Sequence, residues 1–424
     1  MKLIKNGRVI DPSTGFDKVT DIIIDQDKIK YIGNDYNQTD FDEIIDANNY
    51  VVAPGLIDVH VHFRDPGFTY KEDIISGSES AAAGGFTTVI CMANTNPIVD
   101  NVETLEYIKK KSKETKINVL QAAAITKEFK GKEIVDMKEL MENGAVGFTD
   151  DGLPLRDTKI VREAMRMAKE LDTVLSFHEE DPSLIGVAGV NDGNVSEKLG
   201  LEGAPNVAED TLVARDCMLA LDTKAKISIQ HISSGNSVDM VRYAKSLGAN
   251  VYAEATPHHF SITEEQVLEH GTLSKMNPPV RTRKDQQKII KGLQDNTISI
   301  IATDHAPHSI EEKEREFRKA PSGIIGLETS LSLGITNLVN KNYLTINKLL
   351  EKMTINPAKL YNLDAGTIQV GKKADLVIFN DKEEYVVPNK FKSKAVNTPF
   401  IGQKLFGKVK YTLCNGNIVY KDFE

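Results

Sequence analysis

Apolar, β-branched runs alternate with helical patterns along the middle of the chain. The eight runs lie at residues 51–61, 87–93, 117–124, 145–149, 173–178, 226–232, 250–255 and 298–303. Strands that are apolar on both faces and separated by helices belong to parallel sheets that helices cover. Because eight such units can close into a ring, we predict an α/β fold built around a (β/α)8 TIM barrel.

The segments between these runs are predicted to be mainly helical. Apolar residues recur at helical spacing in residues 104–113, 160–171 and 238–247. Thr263-x-x-Gln266 is typical of a capping box that opens a further helix. Five glycines between residues 180 and 225 instead predict a long irregular loop ahead of any helix there. Long loops at the end of a barrel strand often belong to the functional site.

The two ends of the chain share another pattern, in which short strands are separated by turns. The turn-then-strand form of residues 6–10 recurs at residues 415–419. Neither end could bury a core alone, so we predict one small β-sandwich domain formed from both chain ends. This divides the chain into residues 1–50 and 361–424, which form the β-sandwich, and residues 51–360, which form a metal-dependent barrel.

The composition is that of an ordinary globular protein. Of 424 residues, 40% are hydrophobic and 27% charged, which excludes a disordered chain and a membrane bundle. A net charge of −9 argues against nucleic acid as a partner, because phosphate backbones attract basic surfaces. The three cysteines form no Cys-x-x-Cys pair, so we predict a reduced, cytoplasmic protein. We expect no membrane partner, since neither a signal region nor a membrane span of about 18 apolar residues is apparent.

The first apolar run ends in a motif with metal-binding character. Side chains on a strand alternate between faces, so His60 and His62 point the same way. Arg64 continues this alternation just past the strand and brings a guanidinium to the same wall. Two chance histidines on a half-buried strand are the alternative, and Arg64 could instead pair with Asp65 or Asp73. The residues at the later strand ends favour the metal-binding interpretation.

Acids and histidines recur where later strands end, and this end of a barrel carries the chemistry. They are Asp150 and Asp151 after the fourth run, His178 after the fifth, His231 after the sixth, and Asp304, His305 and His308 after the eighth. Imidazole and carboxylate ligands without thiolate suit zinc, with manganese or cobalt as substitutes. The ligands exceed the need of one tetrahedral ion, so two ions that share a carboxylate and a hydroxide explain the set.

Four segments carry a family resemblance: residues 55–67 (GLIDVHVHFRDPG), 92–95 (MANT), 277–279 (NPP) and 303–308 (TDHAPH). With these motifs, essentially the whole chain resembles the amidohydrolase superfamily, and within it the dihydroorotases of the bacterial single-enzyme type, class I. The resemblance implies reversible closure of N-carbamoyl-L-aspartate to L-dihydroorotate with loss of water, a step of de novo pyrimidine (UMP) biosynthesis. It also implies a zinc-bound hydroxide and an aspartate that acts as general acid and base.

The resemblance further implies roles for individual residues. One zinc ion would be held by His60, His62 and Asp304, a second by His178 and His231, and Asp151 and a hydroxide would bridge the two. Asp304 would also be the catalytic acid and base. Arg64, Asn94 and His308 would bind the substrate carboxylate, and Asn277 with the backbone at Ser322 and Gly323 would meet the ring amides.

The fourth strand distinguishes the subfamilies. Dihydropyrimidinases, hydantoinases and allantoinases typically bridge their metals with a carboxylated lysine at its end, whereas residues 145–151 contain no lysine. A carboxylate must therefore bridge, and the family register favours Asp151 over Asp150, which would bind loop backbone instead. Ser322 departs from many relatives, which carry an aromatic residue at that position.

Several other polar residues are expected to lie outside the metal set. His258 and His259 find no vacant ligand position and are predicted to have supporting or core roles, whereas His270 is predicted to lie at the surface. His305 would face away from Asp304 and be structural. The charged run at residues 310–319 is predicted to be solvated surface, and its position after the eighth strand leaves a lid over the site as the alternative.

Two other functions compete with the one that the resemblance implies. One is hydrolysis of a neutral cyclic amide, which the missing lysine and the presence of Arg64 and Asn94 disfavour. The other is a non-catalytic homologue that supports a partner such as aspartate transcarbamoylase, which the complete ligand set disfavours. We expect a small-molecule substrate and a homodimer, and an association with aspartate transcarbamoylase stays open.

Overall fold

The computed structural model describes residues 1–422. In chain order, its strands are β1 (Lys2–Asp11), β2 (Phe16–Asp25), β3 (Lys28–Ile32), β4 (Glu43–Asp46), β5 (Val51–Pro54), β6 (Leu56–Val61), β7 (Phe86–Cys91), β8 (Asn118–Gln121), β9 (Phe148–Thr149), β10 (Val174–Phe177), β11 (Lys226–Ile229), β12 (Val251–Ala255), β13 (Ile300–Ile301), β14 (Leu376–Val386), β15 (Lys404–Cys414) and β16 (Asn417–Lys421).

The α-helices are α1 (Ile74–Ala83), α2 (Val102–Ser112), α3 (Met137–Glu142), α4 (Thr158–Glu170), α5 (Asn194–Lys198), α6 (Asn206–Thr223), α7 (Gly235–Ser246), α8 (Pro257–Ser261), α9 (Gln266–His270), α10 (Arg283–Gln294), α11 (Ile310–Lys313), α12 (Ser330–Gly334), α13 (Ile346–Met353) and α14 (Ile355–Leu360). Many begin at a residue whose side chain accepts a hydrogen bond from the first turn, such as Asp73, Asn101, Asp157, Ser234 and Thr282.

Strands β6 to β13 form the predicted barrel. β6, β7 and β8 pair in parallel, as do the five strands from β9 to β13. A bridge between Ala123 and Phe148 joins the two groups on one side, and a bridge between Val61 and His305 joins them on the other. The eight strands thus close into a ring, which confirms the predicted TIM barrel.

The two chain ends meet in one mixed sheet, as predicted from their shared pattern. Its strand order is β16-β15-β14-β5-β1-β2-β3, with β4 beside the first half of β1. Buried aliphatic residues from both ends, including Ile4, Ile22, Ile378 and Leu413, form a core of its own. This β-rich part therefore depends on residues from both ends of the chain.

The interpretation of residues 51–61 as a single barrel strand is wrong. β5 pairs with β1 and β14 in the mixed sheet, and only β6 belongs to the barrel. The chain passes from one to the other at Gly55, where a Cβ atom would lie 2.2 Å from the Thr87 side chain. Glycine is needed there because the strand runs against its neighbour without room for a side chain.

The predicted helices are present as α2, α4 and α7, and the loop between residues 180 and 205 holds only a 3-10 turn and the short α5. The capping box at Thr263 is wrong. α9 begins directly at Gln266, and the Thr263 hydroxyl donates a hydrogen bond to the Glu265 carboxylate instead of capping the helix. Among residues 1–422, no helix is both long and apolar enough to cross a membrane.

Candidate metal centre and substrate pocket

The six predicted metal ligands converge at one end of the barrel. His60 lies in β6, and the other five follow the C-terminal ends of their strands: His62, Asp151, His178, His231 and Asp304. All six side chains are buried. Three residues at this end adopt positive φ angles that non-glycine residues rarely take, Arg64 at 57°, His231 at 30° and Asp304 at 49°. Such backbone strain clusters at functional sites, where the surrounding structure holds it.

Asp151 lies between two pairs of histidines. Its carboxylate oxygens lie 3.4 Å from Nε2 of His60 and 3.4 Å from Nε2 of His62. On the other side, its Oδ1 lies 3.7 Å from Nδ1 of His178 and 3.7 Å from Nε2 of His231. Each pair forms with Asp151 a group whose potential ligand atoms lie within 4.8 Å of one another. One carboxylate is thus shared by two potential metal sites.

Asp304 lies beside the first histidine pair. Its Oδ1 is 3.0 Å from Nε2 of His62 and 3.5 Å from Nε2 of His60. Burial alone would raise the pKa of Asp304, but the charge of His60 and the adjacent His62 ring outweigh it and lower the pKa below its usual value. The carboxylate is therefore ionised and able to accept a proton.

The residues of this cluster fit a metal ion. Nε2 of His60 and Oδ1 of Asp151 are buried and make no hydrogen bond. Buried polar atoms are normally paired, so each such atom needs an explanation, and a bound cation is a common one. Imidazole nitrogens and carboxylate oxygens are ligands of zinc and related divalent ions.

The electrostatics of the cluster also favour a bound cation. Burial opposes ionisation of Asp151, but His60, His178 and His231 hold its pKa well below the usual range. Burial likewise opposes a charge on His60, yet Asp151 and Asp304 raise the pKa of His60 well above its ordinary value. Carboxylates that hold protons on buried imidazoles attract a metal cation in the same way.

The histidines are oriented from behind by residues that the sequence interpretation missed. Nδ1 of His60 lies 3.3 Å from the Glu254 carboxylate, and Nε2 of His178 lies 3.2 Å from the Glu180 carboxylate. Such partners fix which ring nitrogen faces a metal and raise the basicity of the ring. A signal was present in the sequence, because Glu254 is a charged residue within an otherwise apolar barrel strand.

A cavity of about 200 Å³ opens onto this cluster. It is lined by five of the potential metal ligands and by all six predicted substrate-binding residues, Arg64, Asn94, Asn277, His308, Ser322 and Gly323. His60 is not among the lining residues and lies fully buried. The sequence motifs from distant parts of the chain are thus brought together in one pocket.

Arg64 faces this pocket and not a neighbouring acid. Its Nε donates to the carbonyl of Pro307 at 3.4 Å, and its Nη2 lies 3.4 Å from Nε2 of His308. The alternative pairings are wrong, because Asp65 pairs with Lys111 and Asp73 with Lys394. The guanidinium therefore has no carboxylate partner among residues 1–422.

The other pocket residues are held by hydrogen bonds. Asn94 accepts one from Nδ1 of His62 at 2.9 Å and donates one to Asp151 at 3.2 Å, so it also orients the metal cluster. Burial and the charges of Arg64 and Lys71 lower the pKa of His308 to about 2, so its ring is neutral. Nε2 of His308 then donates to the Ser322 carbonyl at 2.9 Å.

On the opposite side of the pocket, the Ser322 hydroxyl donates to Oδ1 of Asn277 at 2.9 Å. Gly323 has a φ of +127°, and a Cβ there would lie 2.7 Å from that of Ala306. Only glycine fits this backbone, which lets the main chain itself form part of the pocket wall.

Three other histidines, His258, His259 and His305, belong to neither group of potential metal ligands. His259 is buried and bonded to Thr256 and to the Pro278 carbonyl, while Nε2 of the buried His258 has no hydrogen-bond partner. His305 accepts backbone hydrogen bonds at Gly326 and so has a structural role. Asp150 binds loop backbone at Ile125 and Thr126, as expected for the acid that does not bridge.

The prediction that residues 310–319 are solvated surface is wrong for two of them. Glu312 pairs with Lys71 at 3.0 Å, and Lys313 is only 3% exposed. Nζ of Lys313 donates to the carbonyls of Pro321 and Gly323, both at 3.0 Å. The run turns inward because its lysine has carbonyl partners beneath it, so it forms part of the wall behind the pocket.

Comparison with known proteins agrees with this geometry. The model of the amidohydrolase family matches residues 51–419. A dihydroorotase of Clostridioides difficile (strain 630) is 67% identical over 420 residues, which cover 99% of this chain and 100% of that protein. A dihydroorotase of Clostridium acetobutylicum is 57% identical over 423 residues, which cover 100% of both chains.

Two solved structures share the fold over the whole chain. The L-hydantoinase (dihydropyrimidinase) of Arthrobacter aurescens superposes with a TM-score of 0.88 at 26% identity, covering 100% of this chain and 96% of that one. A D-hydantoinase (dihydropyrimidinase) of Thermus sp. gives a TM-score of 0.87 at 24% identity, with the same coverage. From the matched family and the full-length relatives, the chain belongs to the amidohydrolase family, and within it to the dihydroorotases.

Proposed function

We propose that the protein interconverts N-carbamoyl-L-aspartate and L-dihydroorotate, closing the ring with loss of water in de novo pyrimidine biosynthesis. The full-length relatives at 67% and 57% identity, both dihydroorotases, support this reaction. The observation that carries the choice of substrate is Arg64. Its guanidinium lines the same cavity as the histidine and aspartate cluster and has no acidic partner among residues 1–422. Such a group calls for an anionic ligand.

The proposed cofactor is a pair of zinc ions. His60, His62 and Asp304 would hold one and His178 and His231 the other, with Asp151 shared between them. The unpaired buried atoms of His60 and Asp151 and the two overlapping ligand groups support this arrangement. When bound, two zinc ions would ionise a shared water near neutral pH and polarise the amide carbonyl of the substrate.

The protein's own residues bind and orient the substrate. Arg64 would bind its carboxylate through two parallel hydrogen bonds, with Asn94 and His308 beside it. Asn277 and the backbone at Ser322 and Gly323 would meet the ring amides on the opposite wall of the same cavity. Holding both ends of the substrate keeps the scissile amide next to Asp304.

Asp304 would move the proton. In ring opening, its carboxylate accepts a proton from the attacking water and delivers it to the departing amide nitrogen. In ring closure, the same carboxylate removes the proton from the ureido nitrogen. The position of Asp304 supports this role, because its carboxylate lines the same cavity as the proposed substrate-binding residues.

A neutral cyclic amide is the competing substrate, since the hydantoinases share the fold. Arg64 argues against it, because a ring without a carboxylate would leave the guanidinium unpaired in the pocket. The segment that carries Asp150 and Asp151 contains no lysine, so a carboxylated lysine could not bridge the metals here.

Further proposals concern the assembly and location of the protein. We propose that the protein is a homodimer. We also propose a cytoplasmic location, which the buried cysteines Cys91, Cys217 and Cys414 support because they form no disulfide. An association with aspartate transcarbamoylase is the alternative to an independent enzyme. We also propose that the barrel extends to residue 360 and that the terminal segments flanking it act as one domain.

Ring closure provides the direct test. The purified protein with N-carbamoyl-L-aspartate at mildly acidic pH should form L-dihydroorotate, because closure converts a dianion into a monoanion and consumes a proton. The same preparation should open the ring at alkaline pH, and Asp304→Asn should do neither. A protein that retains its metal but interconverts nothing would favour the role of a scaffold.

A further inference from the structure

A segment of the terminal β-rich part reaches over to the substrate pocket. Residues 392–397 lie in the connection between β14 and β15, and we call them the clasp. The clasp contacts the loops that follow the first and the eighth barrel strands. These are the loops that carry Arg64 and His308.

Asn397 makes the central contacts of the clasp. Its Oδ1 accepts a hydrogen bond from the backbone N–H of His308 at 3.1 Å. Its Nδ2 donates to the carbonyls of Ala306 at 3.1 Å and Gly323 at 3.0 Å. The side chain is 3% exposed, so no solvent competes for these bonds. Because two partners are acceptors and one is a donor, only this orientation of the amide satisfies all three.

These contacts join two segments that form one wall of the pocket. Ala306 and His308 precede α11, whereas Gly323 follows it, and all three line the cavity. The backbone of Asn397 adds a fourth bond, since its carbonyl accepts from Ile325 N–H at 3.0 Å. The Asn397 side chain therefore links the His308 segment to the Gly323 segment, and it does so beside the direct bond from the His308 ring to the Ser322 carbonyl.

The clasp also forms hydrogen bonds to the loop behind Arg64. Nζ of Lys394 donates to the Thr69 carbonyl at 2.8 Å and to the Asp73 carboxylate at 2.5 Å. The Ser393 hydroxyl donates to the buried Glu72 carboxylate. The clasp is thus bonded to two of the three loops that supply the predicted carboxylate-binding groups, those of Arg64 and His308.

We infer that Asn397 is a positioning residue that sets the substrate-binding wall of the pocket for a carboxylate-bearing ring. Asn397 does not line the cavity and acts through its bonds to Ala306, His308 and Gly323, which do. This inference rests on the proposed function, since it assigns to the clasp the spacing of groups that would bind dihydroorotate. It also gives the terminal β-rich part a role in substrate recognition.

The test is Asn397→Asp, which keeps the shape of the side chain. The new oxygen would face the carbonyls of Ala306 and Gly323 and push them apart. We expect the KM for dihydroorotate to rise about tenfold while kcat stays within about twofold, because the disturbed groups bind substrate and do not transfer the proton. Zinc content should be unchanged.

The matched control is Asn356→Asp. Nδ2 of Asn356 donates to the Ser299 carbonyl at 2.9 Å, just before β13 and so at the opposite end of the barrel from the pocket. This change removes a similar amide donor and should leave the KM unaltered. An Asn397→Asp variant with the KM of the wild type and only the loss of stability seen in the control would overturn the inference.

A second variant covers the case in which Asn397→Asp fails to fold. The Lys394 side chain is 39% exposed, so Lys394→Met releases the loop behind Arg64 without leaving a buried charge unpaired. We expect a smaller rise in KM, about threefold, again with little change in kcat. If Asn397→Asp is not soluble and Lys394→Met has the KM of the wild type, the inference is also wrong.

Amide hydrogen exchange separates this inference from the proposed function. Asn397→Asp should speed exchange at His308 and Ile325, because repulsion between the new carboxylate and the carbonyls of Ala306 and Gly323 displaces residue 397 from the acceptor positions that both N–H groups use. Asn356→Asp should leave exchange at both positions unchanged. If the wild type fails to turn over dihydroorotate, the proposed function is wrong, and exchange still reports on the clasp. If the wild type is active and Asn397→Asp changes neither exchange nor the KM, the proposed function stands and the inference about Asn397 is wrong.

Discussion

Nε2 of His60 and Oδ1 of Asp151 lie 3.4 Å apart, both are buried, and neither makes a hydrogen bond. Buried polar atoms without a hydrogen bond need an explanation, and a bound cation is a common one. Both atoms belong to a group of potential metal ligands whose ligand atoms lie within 4.8 Å of one another. The two groups of potential ligands have Asp151 in common, so the proposed metal centre assigns this carboxylate to both of its halves.

Asp151→Asn should remove metal from both halves of the centre. The amide keeps the size of the carboxylate but loses its charge, so we expect metal affinity to fall by at least about 10- to 100-fold. Zinc content after dialysis against a chelator measures this. The control is Asp150→Asn at the neighbouring position. Asp150 accepts hydrogen bonds from loop backbone, so this variant should retain its metal. Equal metal loss in both variants would contradict the bridging role.

Asp304→Asn should abolish turnover while the protein keeps its fold and most of its metal. An amide cannot accept the proton, and the loss of a general base typically costs about 10²- to 10⁴-fold in rate. Initial rates of ring opening and closing, with zinc content measured on the same sample, check this. Near-normal activity in the variant would remove Asp304 from the mechanism.

Arg64→Met should chiefly weaken substrate binding. Hydrogen bonds to a charged group contribute about 1.5–3 kcal/mol, so the KM for dihydroorotate should rise by about 10- to 100-fold. The KM and kcat for ring opening, compared with the wild type, separate the two effects. If the KM does not change, the substrate carboxylate binds elsewhere.

Lys313 should make stability depend on pH. Burial and the charge of Lys275 lower the pKa of Lys313 to about 7, against 10.5 for an ordinary lysine. Between these values the unfolded chain binds a proton that the folded protein does not, so stability rises with pH. Below pH 7 both states are protonated, and the full cost of the buried charge is present.

Lys313→Met removes this dependence. In urea unfolding from pH 7 to 10, the free energy of unfolding of the wild type should increase relative to that of the variant by up to about 1.4 kcal/mol per pH unit. Lys319→Met is the control, because that side chain is 73% exposed and should not alter the slope. Parallel curves for the wild type and Lys313→Met would show that Lys313 keeps an ordinary pKa.

The sequence predicted the barrel because its apolar, β-branched runs are a local pattern, whereas the full set of metal ligands came from the family resemblance and stays a prediction. Alternation along β6 placed His60 and His62 on one face, and the ends of parallel strands necessarily meet. The boundary at residue 51 was wrong because β5 is as apolar as β6. Only the long-range pairing of β5 with β14 shows which sheet it joins.

Other features could not be predicted because they depend on contacts between distant residues. Glu254 meets His60 across the barrel, and Asn397 meets His308 from another part of the fold. Lys313 lies in a charged run that is typical of surface, and its burial follows from carbonyl partners ten residues on, at Gly323. The sequence does show Glu254 as a charged residue in an apolar strand, but it does not show which residue is its partner.

The central claim is a carboxylate-bridged metal centre next to an arginine that selects a charged ring. It is tested most directly by measuring zinc per chain together with ring-opening rates on dihydroorotate, dihydrouracil and allantoin. We expect about two zinc ions per chain, since five of the six ligands fall into two groups that share Asp151, and activity on dihydroorotate alone. Activity on a neutral ring but not on dihydroorotate, or two zinc ions with no activity on any of the three, would contradict the account.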